Sequence, residues 1–262
     1  MLLKRILAAV VGIPIIFTCI YFGEIPFFAL MLVVSFFCVW EYLKLTKKYN
    51  PHFVVSLVLS VLFFMFLYVS PFADKVSASA IAMLLILFGI EVFGKNTKSC
   101  VSRISVSFLG AFFLPLALYH MLRIRAFDGG MQFIFMLFIT VWILDTAAYA
   151  FGKMLGKHKL SAVSPKKTIE GAVAGVIFGV ATAIACRYVF MSEFLTVQQA
   201  AIIGFVIAIV GQFSDIAESL IKRDAKIKDS GNTIPGHGGF LDRFDSYIFA
   251  APAVFYILQL FK

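Results

Sequence analysis

Apolar residues in this chain form long runs that are separated by short polar segments. A helix needs about 20 mainly apolar residues to cross the hydrocarbon core of a bilayer. The windows that approach this length are residues 6–22, 26–43, 52–70, 77–93, 104–122, 131–151, 169–190, 198–221 and 244–260. Glu41 and Glu91 lie near the ends of the second and fourth windows. The pattern predicts an all-α, polytopic integral membrane protein with about nine transmembrane helices.

The composition supports this class and favours one domain. Of the 262 residues, 61% are hydrophobic and 14% are charged, whereas soluble globular chains carry about 25% charged residues. No long polar linker divides the chain, so residues 1–262 are predicted to form a single membrane domain. Residues 1–130, which are rich in Phe, Leu and Val, are predicted to be scaffold helices, and residues 131–262 the catalytic half.

The basic residues indicate how the chain is oriented in the membrane. The net charge is +9, but Lys and Arg occur in short patches between apolar spans, which argues against a nucleic-acid partner. Cytosolic loops of membrane proteins carry an excess of Lys and Arg. If the N-terminus is cytosolic, most of the 23 Lys and Arg residues lie on the cytosolic side. The basic residues on the opposite side are then only Lys75, Arg123, Arg125, Arg187 and Lys262. An N-in, C-out topology is therefore predicted, with the first apolar run retained as a helix.

Several carboxylates lie in or beside the predicted spans of the catalytic half. A charged side chain in a span is costly and normally faces a polar cavity or a partner. The candidate metal ligands are Asp145, Asp215, Glu218, Asp229, Asp242 and Asp245. Carboxylates that converge without matching bases repel each other, and Mg²⁺ commonly binds a few carboxylates together with substrate phosphates. The alternative is structural pairing, for example of Glu218 with Lys222 four residues later.

The polar loop after the sixth span contains hydroxyl and ammonium groups, which are suitable phosphate ligands. Thr168 is placed to cap the next helix, and the N-terminus of a helix beside two lysines is an anion site. The candidate phosphate ligands in this loop are Ser164, Lys166, Lys167 and Thr168. A basic loop that contacts anionic lipid is the alternative interpretation.

The second polar loop, residues 219–245, combines positive charge with acidic residues and glycines. Its positive charge includes Lys222, Arg223, Lys228 and Arg243. Gly238 and Gly239 follow His237, and glycines allow tight turns and a close approach of a ligand to the backbone. A polyphosphate that is bound through a metal ion needs this mixture of cations and carboxylates.

This second loop resembles the signature segment of phosphatidate cytidylyltransferases, which are also called CDP-diacylglycerol synthases. The matching positions are Ser219, Lys222-Arg223, Lys228-Asp229, Gly231, Pro235-Gly236-His237-Gly238-Gly239, Asp242-Arg243 and Asp245. Asp145, residues 164–168 and the helix with Asp215 and Glu218 also look like family motifs. The specific resemblance covers residues 140–246.

The resemblance implies nucleotidyl transfer in phospholipid biosynthesis. An oxygen of phosphatidic acid would attack the α-phosphorus of CTP, pyrophosphate would leave, and CDP-diacylglycerol would remain in the lipid bilayer. The resemblance also implies a homodimer and Mg²⁺, sometimes with a second cation such as K⁺. No covalent intermediate with the enzyme is needed.

On this basis, roles are assigned to the candidate residues. The catalytic residues are Lys222, Arg223, His237, Asp242 and Arg243. The substrate-binding residues are Ser164, Lys166, Lys167, Thr168, Lys228, Gly238 and Gly239. Asp145 belongs either to the metal site or to substrate positioning. His237 either orients a phosphate oxygen or only supports its glycine turn.

Other functions remain open on the sequence alone. A cytidylyltransferase for ether lipids would share these motifs, and a polyprenol kinase is disfavoured by the His-Gly-Gly segment. A cation-coupled transporter also places carboxylates in spanning helices, but the chain shows no internal repeat of the transporter kind. The short chain predicts a bacterial plasma (inner) membrane protein whose active site faces the cytosol.

Overall fold

The computed structural model describes residues 2–69, 73–94, 98–234, 236 and 238–261. The long helices in these ranges are Leu2–Phe22 (α1), Glu24–Leu45 (α2), Phe53–Val69 (α3), Ala73–Phe93 (α4), Cys100–Arg125 (α5), Gly130–Leu155 (α6), Ile169–Phe190 (α7), Val197–Asp224 (α8) and Leu241–Leu260 (α9). Within the same residues, β pairing is limited to two isolated bridges, Lys159 with Thr168 and Ile234 with Gly238. The all-α prediction is confirmed.

Each predicted span coincides with one of these helices to within a few residues. In the described part of the chain, six helices are long and apolar enough to cross a membrane, namely α2, α4, α5, α6, α7 and α8. The apolar part of α1 (Val10–Phe22) and α3 are shorter, and α9 carries charged residues in its first turns. The chain is thus an integral membrane protein. The count of nine crossings and the N-in, C-out orientation stay predictions.

Side chains near the helix ends explain where two of the catalytic-half helices begin. The Thr168 hydroxyl accepts a hydrogen bond from the Gly171 amide at 3.2 Å at the start of α7, as the sequence predicts. Thr196 and Gln199 form a reciprocal capping box at the start of α8. Both caps satisfy amides that have no partner within the helix.

Helices α6, α7, α8 and α9 pack against one another in sequence order, and α9 also contacts α5 and α2. The four-residue spacing of Gly171, Gly175 and Gly179 predicts a packing face on α7. A Cβ on Gly171 would lie 2.5 Å from the Ala148 carbonyl of α6, and one on Gly179 would lie 3.1 Å from Ala208 Cβ of α8. The stripe therefore lets α7 approach both neighbours closely.

The acidic residue near the end of the fourth predicted span has structural partners. Glu91 accepts hydrogen bonds from Arg103 Nε and Nη2, both at 2.6 Å, and lies 2.8 Å from His52 Nε2. These contacts join α4, the start of α5 and the segment before α3. Glu91 thus satisfies its charge within the scaffold half, at a distance from the site described next.

Candidate functional site

A cavity of about 600 Å³ lies between α6, α7, α8 and the loop that connects α6 to α7. Its lining residues are Asp145, Ala148, Tyr149, Gly152, Lys153, Leu160, Ser164, Lys166, Lys167, Thr168, Gly171, Ala172, Gln212 and Asp215. The structure thus brings all four candidate phosphate ligands of the first loop to one cavity. Two of the candidate metal ligands face the same space.

Backbone hydrogen bonds fold the first loop back on itself beside the cavity. The Leu160 amide donates to the Lys167 carbonyl, and the Ile169 amide to the His158 carbonyl, both at 2.9 Å. His158 lies outside the cavity, where its Nδ1 is 2.6 Å from Glu170 Oε1. The loop is therefore held with its hydroxyl and ammonium groups toward the cavity, and His158 belongs to its solvent side.

Asp145 and Asp215 approach the cavity from α6 and α8. Their carboxylates lie close enough to interact electrostatically, and Lys167 and Arg243 also act on Asp145. Lys167 forms an ion pair with Asp215. The cavity therefore contains acidic and basic groups side by side, which suits a ligand that carries both phosphates and a bound cation.

Glu218 and Asp245 complete the acidic cluster beside the cavity. Asp245 interacts electrostatically with Asp215, Glu218 and Asp145, and its Oδ1 accepts a hydrogen bond from the Ser246 amide at 2.6 Å. The Ser214 hydroxyl donates to the Asp245 carbonyl oxygen and so joins α8 to α9. These carboxylates lie within electrostatic range of one another, whereas Asp229 is exposed in the second loop.

Lys222 is a buried base within the acidic cluster, as the alternative interpretation of the sequence predicted for its pairing with Glu218. Its ammonium lies 2.5 Å from Glu218 Oε2 and 2.7 Å from Asp242 Oδ1, and the residue is only 8% exposed. The structural pairing of Glu218 with Lys222 is therefore observed, and it extends to Asp242. Together with Lys167 at Asp215, two lysines thus pair with three of the clustered carboxylates and offset part of their charge.

Asp242 is also held by the second loop. Its Oδ2 accepts hydrogen bonds from the Ser230 amide, the Ser230 hydroxyl and the Gly239 amide, each at 2.9 Å. Gly238 has a φ of +87°, and a Cβ there would lie 2.8 Å from Asp242 Oδ2. A glycine is needed at this position because it both adopts positive φ and leaves room for the carboxylate.

The remaining candidates lie at the periphery of this cluster. The Arg223 guanidinium donates to the Ile227 carbonyl at 2.9 Å, and the Lys228 side chain is exposed. Arg243 is exposed at the first turn of α9. His237 lies outside the described residues. The structure places residues 219–224 in α8 and 241–245 in α9, so the second loop is shorter than the sequence predicted and comprises residues 225–240. Lys222 and Asp242 flank this loop and are its chief links to the acidic cluster.

Glu41, which the sequence places near the end of the second predicted span, lies next to the candidate site. It is 0% exposed at the end of α2, and its carboxylate accepts hydrogen bonds from the Ser230 and Thr233 hydroxyls and from the Phe240 and Leu241 amides. An acidic residue in an otherwise apolar helix was the available signal. Its partners are about 190 to 200 positions away, which sequence spacing does not reveal.

A second contact from the same part of the chain holds the start of the second loop. Lys48 Nζ donates to Asp224 Oδ1 at 2.6 Å, and the Tyr49 hydroxyl donates to Oδ2 at 2.9 Å. The hydrogen bond to Asp224 raises the pKa of the exposed Lys48 ammonium. The segment after α2 therefore contacts the end of α8, where the second loop begins.

The cavity can be tested for its fit to Mg²⁺ from its donor atoms. Among the described residues, no group of three His, Cys, Asp or Glu side chains is close enough to form a metal cage by itself. Asp145 and Asp215 nevertheless present hard oxygen atoms to one cavity. Mg²⁺ is commonly held by one or two carboxylates together with substrate phosphates and water. The residues fit a cation that enters with a polyphosphate.

The fold and the cavity together define an all-helical integral membrane protein with a polar, phosphate-suited site among its C-terminal helices. Comparison with known proteins narrows that class. The chain matches the Cytidylyltransferase family over residues 3–261. It therefore belongs to the cytidylyltransferase family, and the resemblance carried by residues 140–246 is confirmed.

Individual relatives agree with this family. The phosphatidate cytidylyltransferase of Bacillus subtilis (strain 168) is 33% identical over 267 residues, covering 99% of this chain and 98% of that protein. The phosphatidate cytidylyltransferase of Synechocystis is 30% identical over 98% of this chain and 96% of its own length. That of Staphylococcus haemolyticus is 38% identical over 66% of each chain. The similarity thus includes the scaffold half as well as the signature segment.

Proposed function

We propose that this protein transfers the cytidylyl group of CTP to phosphatidic acid, giving CDP-diacylglycerol and pyrophosphate in phospholipid biosynthesis. The observation that carries the proposal is the cavity in which the loop 164–168 faces Asp145 and Asp215 between apolar helices. Family membership and the shared name of the relatives support the same reaction. CTP and phosphatidic acid are the proposed substrates.

The transfer is a direct displacement at phosphorus. An oxygen of the phosphatidate phosphate forms a bond to the α-phosphorus of CTP. The bond from that phosphorus to the bridging oxygen of the β-phosphate breaks with its electron pair, and pyrophosphate leaves. Catalysis of this kind depends mainly on positioning and charge neutralisation. No side chain has to form a covalent bond to the substrate.

The cavity residues have complementary parts in this proposal. Lys166 and Lys167 hold phosphate oxygens by charge, and Ser164 and Thr168 contribute hydroxyl groups. Because Lys167 is paired with Asp215, phosphate and Asp215 compete for its ammonium. A cation at Asp215 would release Lys167 toward the substrate.

The second loop closes the site from the other side. Lys222 and Arg223 balance the charge of the nucleotide, and Lys228, Gly238 and Gly239 form the approach for its phosphates. Arg243 neutralises charge on the departing pyrophosphate. His237 keeps its two proposed roles, as a phosphate ligand or as a support of the turn.

Asp145 and Asp215 are the residues proposed to hold Mg²⁺, with Asp242, Asp245, Glu218 and Asp229 as the remaining candidates. When bound, the cation would withdraw charge from the phosphate oxygens that it contacts. Both carboxylate oxygens of Asp242 already accept hydrogen bonds from protein donors. Its main role is therefore to hold the second loop, and metal binding is its secondary role.

The site is proposed to face the cytosol of a bacterial plasma membrane, so that CTP reaches the cavity from water and phosphatidic acid from the bilayer. Basic residues at the cavity rim, such as Lys153 and Lys166, support this orientation. A homodimer is also part of the proposal. Light scattering of the purified protein, with the detergent mass subtracted, measures the number of chains.

The direct test is conversion of phosphatidic acid by the purified protein in detergent, with labelled CTP and with Mg²⁺ or a chelator. We expect CDP-diacylglycerol to form only with Mg²⁺. Asp215→Asn is expected to lower the rate about 100-fold because a proposed ligand of the Mg²⁺ that offsets the phosphate charge is lost. Glu193→Gln, an exposed acidic residue between α7 and α8, is the matched control and should retain full activity.

Two results would contradict the proposal. Folded, Mg²⁺-replete wild-type protein that makes no product from ester-linked phosphatidic acid would direct the test to ether-linked phosphatidates. Cation flux in sealed vesicles without CTP would instead favour a transporter. An Asp215→Asn variant with full activity would remove Asp215 from the site while leaving the reaction intact.

A further inference from the structure

The carboxylate of Glu41 in α2 accepts hydrogen bonds from four donors. The Ser230 hydroxyl donates to its Oε2 at 2.8 Å, the Leu241 amide donates to Oε2 at 2.9 Å, and the Phe240 amide donates to Oε1 at 3.1 Å. The Thr233 hydroxyl is a fourth donor. All four belong to the second loop or the first turn of α9, and none belongs to α2.

The burial of Glu41 makes these contacts obligatory. A carboxylate that is 0% exposed is stable only when its charge is compensated by donors or a cation. Charge-assisted hydrogen bonds from amides and hydroxyls are roughly twice as strong as neutral ones. The ring of Phe37, one turn before Glu41, also stacks on Phe240, with centroids 4.9 Å apart. The end of α2 is therefore fixed to the second loop.

The same contacts continue to the proposed catalytic residues. The Ser230 hydroxyl lies 2.8 Å from Glu41 and 2.9 Å from Asp242 Oδ2, while Asp242 Oδ1 accepts from Lys222. A hydroxyl has one proton to donate, so Glu41 and Asp242 compete for it. A displacement of Glu41 would thus change the position of Ser230 and, through it, that of Asp242 and Lys222.

From these contacts we infer that Glu41 is a positioning residue for the reaction, which sets the conformation of the second loop and thereby of Lys222 and Asp242. It does not contact the substrate itself. Lys48 and Tyr49 hold the other end of the same loop at Asp224. The inference rests on the proposed function, because it assigns the loop to nucleotide binding.

The test compares Glu41→Gln with Glu91→Gln in the purified protein. Glutamine keeps the shape of Glu41 but places an NH₂ group against donors, so the loop should shift. We expect kcat/KM for CTP to fall about 100-fold, with a raised KM for CTP, since small misplacements of catalytic groups have effects of that size. Glu91 is an equally engaged carboxylate that contacts Arg103 and His52 instead of the loop. Its variant should lower thermal stability and leave KM for CTP unchanged.

A second variant keeps the test decisive if Glu41→Gln does not fold. Thr233→Val removes one donor and should raise KM for CTP about fivefold. Because both residues act on the same loop, Thr233→Val should add nothing to a folded Glu41→Gln variant. An unchanged KM for CTP in either folded single variant, with only a loss of active protein, would overturn the inference.

A readout that does not depend on activity separates this inference from the proposed function. Trypsin cleaves after Lys226 and Lys228 in the second loop, and Glu41→Gln should speed cleavage there relative to wild type and to Glu91→Gln. Unchanged cleavage would contradict the role of Glu41 in the loop. Absence of product from wild-type protein would contradict the reaction instead.

Discussion

Lys222 shows how one basic side chain changes the charge balance of an acidic cluster. Its ammonium lies between Glu218 and Asp242, while Lys167 is paired with Asp215. These lysines supply positive charge of the kind that a bound metal ion would bring to the cluster. The lysines therefore offset part of the negative charge of the cluster, and the same ammonium groups are within reach of phosphates as alternative partners.

Replacement of Lys222 should be costly for stability as well as for activity. In Lys222→Met, Glu218 and Asp242 lose their shared cation in a largely buried site, and breaking a buried pair costs about 3–5 kcal/mol. Chemical denaturation in detergent, followed by helix content, measures the change. Glu218→Gln in the Lys222→Met background should recover part of the stability without activity. A stable, active Lys222→Met variant would contradict this prediction.

Lys48→Met is the matched control for that measurement. It also breaks a Lys–Asp pair at the C-terminal end of α8, but Lys48 and Asp224 are both half-exposed. Exposed ion pairs contribute little because water and salt screen them. We expect hardly any change in the denaturation midpoint.

At the scale of helices, glycine determines how closely α7 and α8 approach. A Cβ on Gly204 of α8 would lie 2.7 Å from Ala183 Cβ and 2.9 Å from Val180 Cα of α7. The facing Gly179 makes the same approach from the other helix. These two helices carry Thr168 and Asp215 into the cavity, so their separation sets the width of the site.

Gly204→Ala should therefore destabilise the protein by about 1–3 kcal/mol, because overpacking forces the two helices apart. The thermal midpoint in detergent is the measurement. Gly89→Ala in α4 is the control, since a Cβ there meets nothing within 4 Å and alanine is the better helix former. Equal thermal midpoints for the two variants would show that the close contact at Gly204 does not determine the stability of the protein.

At the scale of the whole molecule, the helices were predictable because each one corresponds to a continuous apolar run in the sequence. All nine windows contain a helix, and the loop 164–168 lines a cavity as its composition indicated. The contacts between side chains far apart in the sequence were not predictable. Glu41 and Glu91 are satisfied by residues from other helices, and neither hydropathy nor spacing records such pairs. The ion pair between Lys167 and Asp215 was not predictable for the same reason.

The predicted topology can be checked with single cysteines in the loops. A membrane-impermeant maleimide applied to intact cells should label Ser192→Cys, between α7 and α8, but not Asn232→Cys in the second loop. Both positions are exposed, and Cys-free protein provides the background. Disruption of the membrane should make Asn232→Cys reactive. Labelling of Asn232→Cys in intact cells would contradict the N-in orientation.

The contact between Glu41 and the second loop also has a consequence for biosynthesis. Ribosomes extend a chain by about 5–20 residues per second, and the Leu241 partner of Glu41 lies 200 positions later. An interval on the order of 10–40 s therefore separates the synthesis of Glu41 from that of its hydrogen-bond donors. During that interval only water can solvate it, which requires that α2 enters the membrane with Glu41 at the aqueous boundary. The location of this residue near the helix end, and not at its centre, meets that requirement.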